Sequence, residues 1–128
     1  MQKRRSTVTT EVNYLSTCKN HNMIALYEKL RAAMFEEFRG VETGATKDYI
    51  NWKVSGVRRT RQFANFYIQK ENICILTLTP RTRQGAGETV SDDHMWTLNY
   101  RTYISTNADI EKTKGILLDS YKQIKQLV

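Results

Sequence analysis

Aromatic and β-branched residues concentrate between residues 62 and 79, in two short runs separated by a polar break. The first run covers residues 63–68 and the second covers residues 73–78, with Gln-Lys-Glu-Asn between them. These residue types favour strands, and the break has the length of a turn. We therefore predict a β-hairpin. Its second strand has Cys74, Leu76 and Leu78 on one side and Ile73, Ile75 and Thr77 on the other, and its largely apolar character on both sides predicts a central strand.

Helical spacing marks the chain before this hairpin. Apolar side chains from Met23 to Phe38 recur every three or four residues, with Asn22 as the expected N-cap and Gly40 as the expected C-terminal cap. Alternation over residues 47–54 predicts a strand, which places Tyr49 with Asn51 and Lys53 on one side. The glycine-containing stretch 41–46 is predicted to be a loop.

After the hairpin, residues 81–94 are polar and predict a long loop. Residues 95–105 alternate as a fourth strand, and a final helix is expected to begin at Asn107 and to bury a stripe from Ile110 to Val128. Gly115 within this helix suggests close packing against the sheet.

These elements predict an α+β fold. We expect a single domain with a four-stranded, mainly antiparallel sheet and with the N-terminal and C-terminal helices packed on one face. Residues 1–21 are expected to be a flexible or short N-terminal segment, and residues 22–128 the domain itself.

The order of several weak motifs resembles the DUF5655 domain family. Lys47-Asp-Tyr-Ile-Asn-Trp-Lys53 is followed by Phe63, Phe66, Gln69-Lys70 and an alternating apolar strand, and the resemblance covers roughly residues 22–122. It implies an uncharacterised α+β domain with no established activity, found alone or beside nuclease-like modules. The chain departs from the family pattern at His94-Met-Trp-Thr-Leu98, where similar proteins have glycines after a histidine.

Basic residues are unevenly distributed along the chain. The formal net charge is +7, and residues 1–61 hold 12 Lys and Arg against 6 Asp and Glu, whereas the remainder is nearly balanced. Such asymmetry favours an anionic partner, including DNA or RNA. The candidate nucleic-acid-binding residues are Lys53, Arg58, Arg59 and Arg61 around a hairpin tip, extended by Arg81 and Arg83. A solvated turn that discourages edge pairing is the alternative explanation of the same cluster, and the sequence slightly favours it.

Tyr49 and Trp52 are candidates for stacking on an exposed base, if they face solvent; buried, they belong to the core. The sequence leaves this choice open.

Catalytic motifs are absent from the sequence. Adjacent Asp92, Asp93 and His94 are the nearest approach to a metal site, but neighbouring loop residues rarely converge on one ion. We therefore expect no enzymatic activity, no metal and no cofactor. The two cysteines are far apart, and no run of membrane-spanning length or signal-peptide pattern occurs, so we expect a cytoplasmic protein with no membrane partner.

The leading hypothesis is a non-catalytic binding module that contacts nucleic acid through the basic hairpin loop, as an accessory to a nuclease or defence system. A protein-interaction or assembly domain is the second hypothesis, and a small-molecule-binding or enzymatic domain is the third. An exposed apolar patch would favour the second, and a pocket with convergent polar groups the third.

Overall fold

The computed structural model describes residues 8–56, 60–78, 88–89 and 98–127. The helices in this part of the chain are α1 Glu11–Thr17, α2 His21–Phe35 and α3 Ile110–Leu127, and a 3-10 turn, Asn107–Asp109, precedes α3. The strands are β1 Val8–Thr9, β2 Val41–Thr46, β3 Ile50–Ser55, β4 Thr60–Ile68, β5 Ile73–Thr77, β6 Glu88–Thr89 and β7 Tyr100–Ile104.

The strands form one antiparallel sheet in the order β1-β2-β3-β4-β5-β7-β6. The α+β class is confirmed, but the sheet is wider than the four strands predicted. Strand β2 was mistaken for a loop because Gly44 interrupts its alternation. The two-residue strands β1 and β6 carry too little pattern to be recognised in the sequence.

The central hairpin is confirmed as β4 and β5. Its turn closes with a 2.9 Å hydrogen bond from the Gln69 amide to the Asn72 carbonyl. Strand β5 lies between β4 and β7, so it is an interior strand as expected. Ile73, Ile75 and Thr77 are fully buried on one side of it.

An aromatic cluster joins the two long helices to one face of the sheet. Trp52 of β3 and Phe66 of β4 have ring centroids 4.4 Å apart, and Tyr27 of α2 contacts both rings. Phe63 of β4 packs edge-on against Tyr121 of α3. Because edge-to-face aromatic contacts add to the gain from burial, this cluster fixes both helices over the same part of the sheet.

The ends of α2 differ from the prediction. Its N-cap is Asn20, whose side-chain oxygen accepts a 3.1 Å hydrogen bond from the Met23 amide, so the helix begins before Asn22. The helix ends at Phe35, and Gly40, with a φ of 69°, lies beyond it in the connection to β2. The predicted apolar stripe from Met23 to Phe38 is buried.

The start of α3 also differs. Thr106, not Asn107, is the N-cap of the 3-10 turn that leads into α3, and its amide donates to the Asp109 carboxylate at 3.1 Å. The expected close approach at Gly115 is wrong, because a Cβ added there would meet no atom within 4 Å. Ser120 makes the close contact instead. Its buried hydroxyl donates to the Phe63 carbonyl at 2.6 Å and accepts from the Leu78 amide at 2.8 Å.

Helix α1 is attached to the domain through a buried carboxylate. Glu11 is 8% exposed, and it accepts hydrogen bonds from the Tyr27 hydroxyl and, at 2.7 Å, from Arg31. The Tyr27 hydroxyl in turn accepts a 2.9 Å hydrogen bond from the Trp52 indole. Residues 11–17 therefore form a short helix that is hydrogen-bonded to the rest of the domain through Glu11. No helix in the described ranges has the length and apolar character needed to cross a lipid bilayer.

Candidate nucleic-acid interface

The basic residues of the β3–β4 hairpin lie on different faces of the sheet. Lys53 pairs with Gln62, and Val54 pairs with Arg61. Cross-strand partners share a face and successive residues alternate. Since Val54 is fully buried in the core, Arg61 projects from the helix-covered side, and Lys53 projects from the other.

A β-bulge produces this arrangement. Trp52 pairs with Ala64 and Lys53 pairs with Gln62, so Phe63 is the extra residue on β4. The bulge lets Phe63 join the aromatic cluster although its neighbour Ala64 is also buried. Strict alternation from Phe66 would have placed Arg61 beside Lys53, which is why the sequence did not separate the two.

Arg58, Arg59, Arg81 and Arg83 lie outside the described residues. Strand β3 ends at Ser55 and β4 begins at Thr60, and a 2.8 Å hydrogen bond joins the hydroxyls of these two residues. Strands β3 and β4 are therefore paired as far as these two residues.

The stacking role proposed for Trp52 is wrong. Its side chain is fully buried, and its ring contacts α2. Tyr49 is half-buried in the turn before β3, where its ring lies 5.0 Å from that of Tyr67. Burial raises the pKa of the Tyr67 phenol, and the nearby Tyr49 adds to this effect. Tyr49 and Tyr67 form an aromatic pair at one end of β4.

We use the term polar face for the side of the sheet turned away from Trp52 and Phe66. Its central row runs across β2 to β7 and consists of Gly44, Asn51, Asn65, Leu76 and Arg101, paired in that order. Lys53 and Gln62 lie on one side of this row, and Tyr67 and Tyr103 lie on the other. Basic, amide, aromatic and acidic groups are thus combined on one face, because Glu42 of β2 is the direct cross-strand partner of Lys53.

On the polar face, Lys53 lies directly opposite Glu42 of β2. None of the ion pairs between described residues involves Lys53. Its ammonium extends over β2, within 3.3 Å of the point where a Cβ of Gly44 would lie. A half-buried, unpaired ammonium on a sheet surface suits a phosphate group.

The alternation of residues in the sequence predicts part of the polar face. Alternation placed Tyr49, Asn51 and Lys53 together, as the structure does. Asn65 was missed because it lies in a run dominated by apolar residues, and Gly44 was missed together with strand β2.

A crevice of about 720 Å³ lies between residues 18–22 and residues 68–70, and the described residues that line it include Cys18, Lys19, His21 and Lys70. No group of three or more His, Cys, Asp or Glu side chains suited to a metal ion occurs within the described ranges. His94, Asp92 and Asp93 lie outside those ranges.

Comparisons of the chain with protein-family models, with curated proteins and with solved structures found no match. The resemblance to the DUF5655 family stays a prediction from the sequence.

Proposed function

We propose that this protein is a non-catalytic module that binds single-stranded nucleic acid on the polar face and along the β3–β4 hairpin. The observation that carries the proposal is the combination of Lys53 and the half-buried tyrosine pair Tyr49–Tyr67 on one sheet surface. Proteins that bind single strands combine backbone-neutralising cations with aromatic rings on such surfaces.

The charge of the chain supports an anionic partner. The net charge is +7, and most of the excess lies in residues 1–61, which include the whole of β3 and the hairpin tip. In this proposal Lys53 binds a phosphate, and Arg58, Arg59 and Arg61 extend the path around the tip, with Arg81 and Arg83 as further candidates. An accessory role beside a nuclease or defence system remains part of the proposal.

A salt-dependent binding assay tests the proposal. Fluorescence anisotropy of labelled single- and double-stranded DNA and RNA is measured at several salt concentrations for the wild type and for Lys53→Ala. We expect tighter binding of single strands. For the variant we expect affinity to fall about equally for all sequences and the slope of log K against log salt to decrease in magnitude by about 1, because one phosphate contact is lost.

Lys122→Ala provides the matched control. It removes the same charge from an exposed position on α3, the helix that packs on the other face of the sheet, and it is expected to bind like the wild type. Equal losses in the two variants would show that only net charge matters. Absence of binding to any nucleic acid would contradict the proposed function. An Arg58→Ala, Arg59→Ala, Arg61→Ala triple variant measures the share of the hairpin tip.

A further inference from the structure

The crevice between the α1–α2 connection and the β4–β5 turn is separate from the polar face. Residues 18–22 form one wall and residues 68–70 form the other. Its volume of about 720 Å³ falls in the range of small-molecule sites. Ile68 pairs with the fully buried Ile73, so this strand residue belongs to the helix-covered side of the sheet, opposite the polar face.

The buried side chain of Tyr14 joins the two walls. It is 6% exposed, and its hydroxyl accepts a 3.1 Å hydrogen bond from the Ile68 amide at the end of β4. On the other wall, the Cys18 amide donates to the Leu15 carbonyl at 3.1 Å, and the Asn20 side chain caps α2. These bonds fix both walls before any ligand binds, which lowers the entropic cost of binding.

Each wall of the crevice carries an exposed lysine, Lys19 on one and Lys70 on the other. Neither lysine takes part in the ion pairs between described residues. None of the described residues that line the crevice carries a carboxylate, and the neighbouring acidic residues Asp48 and Glu71 are not among them. The imidazole of His21 offers a further hydrogen bond. The crevice therefore suits an anion that solvent can deliver.

Apolar groups complete the lining. Ile68 and Cys18 are both half-buried. The Cys18 thiol donates a weak 3.5 Å hydrogen bond to the Tyr14 carbonyl, and burial raises the pKa of this thiol. A neutral thiol packs like a small apolar group and is a poor nucleophile. The crevice thus combines two cations with a surface for an uncharged molecular body, and it is suited to binding.

We infer that this crevice binds a nucleoside monophosphate. The phosphate lies between Lys19 and Lys70, and the nucleoside packs against the wall that contains Ile68. A phosphate monoester carries a charge of about −1.5 to −2 at neutral pH, which matches two ammonium groups better than a single carboxylate does. The volume exceeds what a phosphate needs, and the sugar and base occupy the remainder. A free mononucleotide and the phosphorylated end of a strand share this chemistry.

Amide NMR spectra of isotope-labelled protein locate the ligand. Adenosine monophosphate, adenosine and inorganic phosphate are titrated separately into the wild type. We expect adenosine monophosphate to shift the signals of residues 18–22 and 68–70, with a dissociation constant about tenfold lower than that of either part alone. Shifts confined to other residues, no shift at all, or equally tight binding of inorganic phosphate would overturn the inference.

Lys19→Ala and Lys70→Ala test the phosphate contact. Each removes one exposed cation, so we expect adenosine monophosphate to bind about fivefold more weakly, as for the loss of an exposed ion pair, and adenosine to bind as before. Lys122→Ala removes the same charge from an exposed position on α3 and is the matched control. Equal weakening in all three variants would contradict the site. Thermal unfolding followed by circular dichroism confirms that each variant is folded.

A short oligothymidine with or without a terminal phosphate separates the two sources of the ligand. Shifts at the crevice that require the terminal phosphate assign the strand end, whereas crevice shifts with the mononucleotide alone assign the free nucleotide. The inference does not depend on the proposed function. Shifts at Lys53 and Tyr67 with none at the crevice, for any of these ligands, would overturn the crevice site and leave the proposed function intact. Shifts at the crevice alone would support the site and contradict the proposed function.

Discussion

At the scale of single residues, the hydroxyl of Tyr27 hydrogen-bonds to two other elements of the fold, and no pattern in the sequence predicts these bonds. It donates to the buried Glu11 carboxylate of α1 and accepts from the Trp52 indole of β3. Burial raises the pKa of the phenol, and the neighbouring Glu11 raises it further, so the hydroxyl keeps its proton as donor. In the sequence, Tyr27 is an ordinary member of an apolar stripe. In the structure, it connects α2 to α1 and to strand β3.

Tyr27→Phe is expected to lower the free energy of unfolding by about 1–3 kcal/mol, because it leaves the Trp52 indole without its acceptor and Glu11 with one donor fewer. Urea unfolding followed by circular dichroism measures the change. Tyr103→Phe is the control: its side chain is 48% exposed and it should unfold like the wild type. Equal stability of the two variants would contradict the role of the Tyr27 hydroxyl.

At the scale of elements, helix α3 packs closely against the sheet at Ser120, whereas the space beside Gly115 is empty. Ser120 bonds to the backbone at Phe63 and Leu78, which fixes the helix over β4 and the end of β5. Gly115, on the same helix, is exposed, and a Cβ built there would have no neighbour within 4 Å. The conformational freedom of this glycine therefore weakens the helix without a packing benefit.

Gly115→Ala is expected to stabilise the protein by about 1 kcal/mol, the difference in helix propensity between the two residues. Gly40→Ala is the matched control, because Gly40 has a φ of 69° and alanine would be strained there. The two substitutions should shift the melting temperature in opposite directions. Destabilisation by Gly115→Ala would mean that space at this position is required.

The start of α3 predicts a pH dependence. The Asp109 carboxylate accepts hydrogen bonds from the amides of Ser105 and Thr106, which lower its pKa, and Lys112 lowers it further. A carboxyl whose pKa is lower in the folded chain contributes stability that is complete above the unfolded pKa. That contribution is lost as the pH falls through the folded pKa.

Asp109→Asn is therefore expected to reduce stability at pH 7 by about 0.5–1 kcal/mol. The difference from wild type should narrow as the pH falls below the ordinary value of 3.8. Urea midpoints measured between pH 3 and pH 7 test this. Glu111→Gln removes the same charge from the same turn, where the side chain is 86% exposed, and it should show a smaller difference. A pH-independent difference for Asp109→Asn would contradict the assignment.

At the scale of the whole molecule, the periodicity of apolar residues predicted the helices and the presence of a sheet. It underestimated the number of strands in that sheet. Long apolar stripes identified α2 and α3, and the run of β-branched residues identified β5, because each pattern repeats several times within one element. Strand β2 has only Val41 and Ala45 as apolar residues at alternate positions, so its pairing with β3 decides its structure.

The candidate site was predictable only in part for a related reason. Composition predicted an anionic partner, but the face that each basic residue occupies depends on strand register. The polar face becomes visible only when Asn51 and Asn65, 14 positions apart in the sequence, are paired across two strands. Neither residue alone has a pattern that distinguishes it from an ordinary polar residue in a strand.

The bulge at Phe63 has a consequence for comparing this chain with others. Strand β4 contains one residue more than regular pairing with β3 requires. A homologue with a regular hairpin would be one residue shorter here, and a correct alignment would open a single-residue gap at Phe63 or Ala64. An ungapped alignment would equate Arg61 and Gln62 with residues on the wrong side of the sheet, so that core positions would be scored against surface ones.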